Sequence, residues 1–183
     1  MKSIAVYCGA SDGARPVYAD AARLLARALV DHNIALVYGG GRVGLMGVIA
    51  DEVLRLGGEA TGVIPRALVE REVGHAGLTR LFVVKDMHER KAMMAELSDG
   101  FIAMAGGMGT LEELFEMLTW AQLGIHAKPI GLLNTGGFYD GLVGFVRHQQ
   151  EEGFVRPAHA ALMNVDADAD ALVKRLREAA GIK

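Results

Sequence analysis

The sequence predicts an α/β fold: a doubly wound, mostly parallel sheet with helices on both faces, in the Rossmann-like manner. Three observations predict it. Short apolar runs of strand length alternate with longer amphipathic segments along the whole chain. The strand candidates are continuous apolar runs, as in parallel strands buried on both faces. Glycine-rich turns follow several of them, where βα connections of open sheets bind ligands. With 183 residues and no linker or compositional break, one domain over 1–183 is expected.

In chain order, residues 4–8 are the first strand, and Gly9-Ala-Ser-Asp-Gly13 is the turn that closes it. Pro16 suits the first turn of the next helix, where its missing N–H costs nothing. Leu24, Leu25, Ala28 and Leu29 are expected to form that helix's apolar face. Residues 34–38 are the second strand. Gly39-Gly-Gly-Arg-Val-Gly44 leads from it into a helix from about Leu45 to Leu56, which Gly57 and Gly58 end. Residues 59–64 are the third strand, stopped by Pro65. From Pro65 to Leu78 no period is clean and charges gather at Arg66, Glu70, Arg71 and Glu72, so a partly helical excursion is expected. Residues 81–84 form a strand and 87–97 a helix.

The central unit comes next. Phe101-Ile-Ala-Met-Ala105 is a buried strand, and three glycines within four residues follow it. Thr110 then opens a helix with apolar residues at Leu111, Leu114, Phe115 and Leu118, the i, i+3, i+4, i+7 spacing of one core-facing stripe. A strand, a glycine turn and a helix N-terminus in succession make a natural phosphate seat, because free N–H groups and the helix dipole point at the ligand. Glu112 and Glu113 suit the dipole, but beside a bound anion they are odd neighbours unless they have chemistry to do. Beyond this unit, residues 129–133 are a strand, 138–151 a helix and 162–165 a short last strand. Asp166 is expected to cap a C-terminal helix that runs to about Ala180. The two glycine turns, after the second strand and after residues 101–105, are expected to meet at the ends of neighbouring strands.

Composition narrows the function classes. The formal net charge is −3 and no long basic run occurs, so nucleic acid and anionic membrane are not expected partners. The single cysteine, Cys8, allows no intrachain disulfide and fits a cytoplasmic setting. No apolar stretch reaches the roughly 18 residues of a membrane span, and the N-terminal apolar run is too short for a secretory leader.

Neither glycine turn is a Walker loop, since no GK[ST] follows the glycines. The second turn contains G-x-G-x-x-G, yet it follows the second strand, and the acidic residue some twenty positions on, Glu59, begins a strand instead of ending one; dinucleotide binding therefore fits poorly. Arg90 and Lys91 stand at a helix start, where the dipole disfavours cations unless an anion is near. Spacing alone leaves a solvated helix face open for them. No His or Cys cluster has metal-ligand spacing.

Four ordered segments carry more. Gly39-Gly-Gly-Arg-Val-Gly-Leu-Met-Gly47, Met87-His-Glu-Arg-Lys91, Gly106-Gly-Met-Gly-Thr-Leu-Glu-Glu113 and Thr119-Trp-Ala-Gln-Leu-Gly-Ile-His126 resemble the Lonely Guy (LOG) family, cytokinin riboside 5′-monophosphate phosphoribohydrolases. The resemblance runs from about Ile4 to Val165. Ala105 stands where the family pattern P-G-G-x-G-T-x-x-E has proline; every other position of that pattern is present. Proline there would stiffen the turn but supplies no donor.

The resemblance implies that Arg90 and Glu113 are the catalytic pair. It places Glu72, Arg90, Lys91, Gly107, Met108, Gly109, Thr110, Leu111, Glu112, Glu113 and Thr119 around the substrate. It further implies hydrolysis of the N-glycosidic bond of adenosine 5′-monophosphates, N6-modified or plain, to free base and ribose 5-phosphate. No metal or redox cofactor is implied. A homodimer is, with the helices around Arg90 and Trp120 near the shared surface. Two other readings remain: a non-catalytic carrier of the same fold, like the molybdenum-cofactor carriers, and a pyridoxal-phosphate lysine decarboxylase, whose Schiff-base lysine no stretch marks.

Overall fold

The apolar runs pair as seven parallel strands: β1 (Ser3–Tyr7), β2 (Ala35–Tyr38), β3 (Ala60–Pro65), β4 (Arg80–Val84), β5 (Phe101–Ala103), β6 (Ile130–Leu133) and β7 (Met163–Asp166). The computed structural model describes residues 1–69 and 74–181. The sheet order is β4-β3-β2-β1-β5-β6-β7. The chain winds outward from β1 in one direction and, after crossing back to β5, in the other; β1 and β5 therefore flank the switch point of a doubly wound sheet.

Alternate residues of each strand face opposite ways and feed two cores. Ile4, Val6, Leu36 and Ile102 pack under the helices α1 (Val17–Asp31), α2 (Gly44–Arg55) and α7 (Ala169–Ala179). Ala5, Tyr7, Val37 and Phe101 pack under α3 (Met87–Glu96), α4 (Met108–Gln122) and α5 (Asp140–Glu151). The central strands are covered on both faces, which is why they read as continuous apolar runs, whereas the edge strand β4 leaves Leu81, Phe82 and Val83 exposed and β7 carries Asn164 and Asp166.

Several expectations shift on contact with the packing. Leu24 is 60% exposed; the buried face of α1 is Ala21, Ala22, Leu25, Ala26, Ala28 and Leu29. Leu24 stands at the margin of that face and is turned away from the core. Pro65 closes β3 from inside, paired with Val84, instead of stopping the strand before it. The C-terminal helix is capped by Asp168, which accepts from the Ala171 N–H, while Asp166 ends β7. Within the excursion, Arg66–Leu68 make one 3₁₀ turn; Glu70, Arg71 and Glu72 lie outside the described residues. A four-residue helix α6, Pro157–Ala160, has too few residues for periodicity to announce it. The strands β2 and β5 are not neighbours, because β1 lies between them.

Candidate active site

Three βα turns crowd the C-terminal edge of the sheet at the switch point. The Gly9 amide donates to the Ala105 carbonyl at 3.0 Å, and the Leu45 amide donates to the Gly9 carbonyl at 3.0 Å. The turn after β1 thus laces together the turns after β2 and β5, which the sheet order alone holds apart. Between the β1 and β5 turns opens a cleft of about 430 Å3, walled by Gly9, Ser11, Tyr18, Gly106, Gly107 and Phe138.

On one side of that cleft stands the N-terminus of α4. Its N-cap is Gly107, in extended backbone, and no side chain caps it. A side chain at Gly106 would run into the Thr110 hydroxyl, so packing demands glycine there. Gly107 and Gly109 are different: a Cβ on either would meet only open space. Those two glycines leave the first-turn amides bare toward solvent, and the dipole favours an anion at that spot.

The helix α3 brings the cations. Asp86 caps it, accepting from the His88 and Glu89 amides at 3.0 Å each, and Glu89 reaches back to the Lys85 amide at 2.7 Å. Arg90 and Lys91 follow immediately, and both are buried. A solvated helix face is therefore excluded for them. The Arg90 guanidinium lies against Gly39, where any side chain would strike its Nη2. That Nη2 stands 3.5 Å from Glu113 Oε1, with both side chains 8% exposed. Arg90 Nε is buried and has no hydrogen-bond partner among the described residues. Leaving a buried donor unmet costs about 1–3 kcal/mol, and such donors in native proteins call for an explanation such as a ligand.

Lys91 is spoken for. Its ammonium bonds Glu112 and lies 3.0 Å from Glu116 Oε2. Burial works against its charge, but the hydrogen bonds to Glu112 and Glu116 outweigh that and hold it above the ordinary lysine range.

Along α4 the buried positions are Thr110, Glu113, Leu114 and Met117. Phe115, expected on the core stripe, is 38% exposed. The stripe is rotated so that Glu113 faces inward and Glu112 outward, which separates two carboxylates that sequence alone could not rank. Met108 is exposed, and Leu111 packs at the margin of the second core. Thr119 lies apart from the Arg90–Glu113 pair. Its hydroxyl donates to the Phe115 carbonyl at 2.7 Å, and it borders a separate cleft between α4 and α5. Glu72 lies outside the described residues.

Two contributors were not among the residues the sequence placed at the site. Gly39 reads as an ordinary turn glycine, yet it makes the space for Arg90. The Tyr7 hydroxyl is buried without a partner among the described residues. Burial pushes that phenol well above its ordinary range, and the charges of Glu113 and Glu116 add to the effect. Tyr7 therefore keeps its proton beneath the acidic cluster.

Relatives of this chain are named cytokinin riboside 5′-monophosphate phosphoribohydrolases. It is 49% identical over 178 residues to the cytokinin riboside 5′-monophosphate phosphoribohydrolase LOG1 of Arabidopsis thaliana, covering 97% of this chain and 84% of that one. It is 46% identical over 177 residues to the cytokinin riboside 5′-monophosphate phosphoribohydrolase of Rhodococcoides fascians, covering 96% and 89%. The chain belongs to the LOG family. A family model described as "Possible lysine decarboxylase" also matches residues 46–176. Among solved structures, the molybdenum-cofactor carrier protein of Chlamydomonas reinhardtii superposes with a TM-score of 0.72 at 20% identity, over 98% of this chain and 97% of that one. At that identity the likeness shows the fold that LOG proteins share with it.

Proposed function

We propose that this chain hydrolyses the N-glycosidic bond of nucleoside 5′-monophosphates, N6-modified adenosine monophosphates such as cytokinin riboside 5′-monophosphates and AMP among them. The products are the free base and ribose 5-phosphate. One observation carries the reading: the buried Arg90–Glu113 pair lies one helical turn inside an uncapped, glycine-cradled N-terminus. Gly109 and Glu113 are four residues apart on α4, so they share a face about 6 Å apart along the axis. A 5′-phosphate on the amides of residues 107–110 would set the ribose beside Glu113.

Cleavage of the bond develops positive charge on the ribose, as in other glycoside hydrolyses. The Glu113 carboxylate faces that charge and orients or deprotonates the attacking water. Arg90 holds Glu113 through Nη2 and offers its unspent Nε–H to the sugar or the departing base. Lys91, Glu112 and Glu116 tie α3 to α4 and keep the pair in register. Glu72, Leu111, Met108 and Thr119 complete the substrate contacts only as the family resemblance implies.

The decarboxylase reading is disfavoured by Lys91. It is the buried lysine among the described residues, and two carboxylates hold it as an ammonium, whereas a Schiff-base lysine must shed its proton. A panel of nucleoside 5′-monophosphates, assayed for free base and ribose 5-phosphate, tests the reaction. No product from any member would leave a carrier.

A homodimer in a cytoplasmic setting belongs to the same proposal. The exposed Leu123 and Ile125, beyond Trp120, support pairing at the C-terminal end of α4. No helix among the described residues is long and apolar enough to cross a membrane. Sedimentation should give about twice the 19.5 kDa of one chain; a monomer mass at micromolar concentration would contradict it.

A further inference from the structure

Outside the family motifs, one buried polar side chain is tied on every side and touches the catalytic pair through a single turn. His75 is 4% exposed. Its backbone amide donates to the Gly40 carbonyl at 3.1 Å, and its neighbour Gly74 bridges Gly41. Its ring Nδ1 accepts from the Gly77 amide at 3.1 Å. An amide N–H can only donate, so Nδ1 is the bare nitrogen, and Nε2 carries the proton. That Nε2 donates to Asp51 Oδ1 at 2.9 Å. Asp51 sits on α2, whose Leu45, Ile49, Ala50 and Val53 are buried, so the ring is moored to a rigid element.

The moored segment holds the turn after β2 from outside. Gly40 has φ 78° and is hemmed in by Leu81, Ile64 and the Val63 amide at 3.1–3.3 Å from where a Cβ would stand. Gly39, one residue earlier, is the surface on which the Arg90 guanidinium rests. The contacts run Asp51, His75, Gly40, Gly39, Arg90, Glu113.

We propose that His75 is a positioning residue for the N-glycosidase reaction. Through Asp51 and Gly77 it pins residues 74–77 to α2, and through the Gly40 carbonyl it keeps the Gly39–Gly41 turn seated against Arg90. The proposal rests on the reading of Arg90 and Glu113 as the catalytic pair. A loosened turn lets the guanidinium drift from Glu113, and small misplacements of a catalytic group are expensive in rate.

The test uses the full chain with adenosine and N6-isopentenyladenosine 5′-monophosphates. His75→Phe keeps a ring in the space but removes both side-chain hydrogen bonds. It should lower kcat by ~10-fold with KM within about twofold. His75→Gln, whose amide nitrogen can still donate to Asp51, should recover most of that loss. Asp51→Ala, made at a half-exposed position, should reproduce the His75→Phe defect and serves if His75→Phe does not fold. In an Arg90→Lys background the His75→Phe change should cost less than about twofold, because a residue acting through Arg90 has nothing left to position. Equal costs in both backgrounds, or a lowered melting temperature with unchanged kcat, would overturn the proposal.

A readout without turnover separates this proposal from the reaction itself. The Arg90 Nε–H resonance, assigned by its loss in Arg90→Lys, should shift or broaden in His75→Phe and in Asp51→Ala. If wild type releases no base but that resonance responds, the reaction assignment fails and the clamp stands. If wild type releases base and the resonance is unmoved, the clamp fails alone.

Discussion

The first turns of α3 and α4 face each other across the site and are built on opposite plans. The α3 terminus is closed by its own chain: Asp86 takes two amides, Glu89 reaches back for a third, and the residues that follow are cations. The α4 terminus is open: Gly107 offers no cap, Gly109 offers no side chain, and the residues that follow are acids. Each arrangement places charge where the other can use it. Cations in the first turn of α3 work against that helix's dipole, but the carboxylates of α4 compensate them. The α3 terminus is satisfied by its own chain, and the α4 terminus has no side-chain cap. Perturbing the two should give effects of different kind as well as size.

The largest effect belongs to the inward acid of the open helix. Glu113→Gln keeps shape and removes charge, so activity should fall by ~10²-fold or more with the circular dichroism spectrum unchanged. Glu112→Gln should cost only a few-fold, since that side chain is half-exposed and Glu116 still holds the Lys91 ammonium. If turnover survives in the first variant and collapses in the second, the inward-facing residue is not the catalytic one.

Next is the phosphate proposed for the open terminus. A nucleoside lacking the 5′-phosphate gives up two or three charge-assisted hydrogen bonds worth about 1.5–3 kcal/mol each. Remote binding energy of this kind orients the ribose, so both rate and affinity should suffer, by ~10²-fold or more in kcat/KM. Gly109→Val tests the seat from the protein side. Its side chain would project into open space and touch nothing in the fold, so stability should change little. Turnover of the monophosphate should drop and its advantage over the nucleoside largely vanish. Equal cleavage of nucleoside and monophosphate by the wild-type chain would reduce the glycine turn to an ordinary connection.

Much of this contrast could be read before any coordinates, and its limits are instructive. The strand within residues 101–105 is unambiguous because burial on both faces leaves no polar position to confuse the period, although pairing ends at Ala103 and Met104 and Ala105 already belong to the turn. The α4 stripe is harder. Leu111, Leu114, Phe115 and Leu118 fit helical spacing, but so do Thr110, Glu113, Leu114 and Met117; the shared Leu114 is buried, Leu111 and Leu118 are half-buried at the second core, and Phe115 is exposed. Counting apolar residues puts Phe115 on the inner stripe and leaves Thr110 and Glu113 off it, because it assigns no polar group to a buried face. A Thr and a Glu sharing a stripe with Leu114 and Met117, just inside a glycine turn, were the available signal for preferring Glu113. The pairing of Arg90 with Gly39 could not be read at all, since it joins residues far apart in sequence through a contact that exists only once α3 is docked. Family resemblance supplied Arg90 and Glu113; packing supplied the reason they are close.

The smallest effect concerns the closed terminus. Asp86→Ala removes the cap of α3 but no group that faces the cleft. The melting temperature should fall by about 2–4 °C, the size of one lost helix cap in a chain of this length, while kcat stays within about twofold. The effect should also depend on pH in a definite sense. Hydrogen bonding from the Glu89 amide first, and from the His88 amide as well, holds the Asp86 carboxyl below the ordinary aspartate range. A folded-state value that is depressed contributes stability above the unfolded value, near 3.9, and loses it as the pH falls through the folded one. The gap in melting temperature between wild type and Asp86→Ala should therefore be constant from about pH 5 to 8 and shrink only in stronger acid. A gap that persisted unchanged into that range would mean that the Asp86 charge is not what closes the helix. A large loss of kcat at neutral pH would mean that the support and the site are less separate than the two termini suggest.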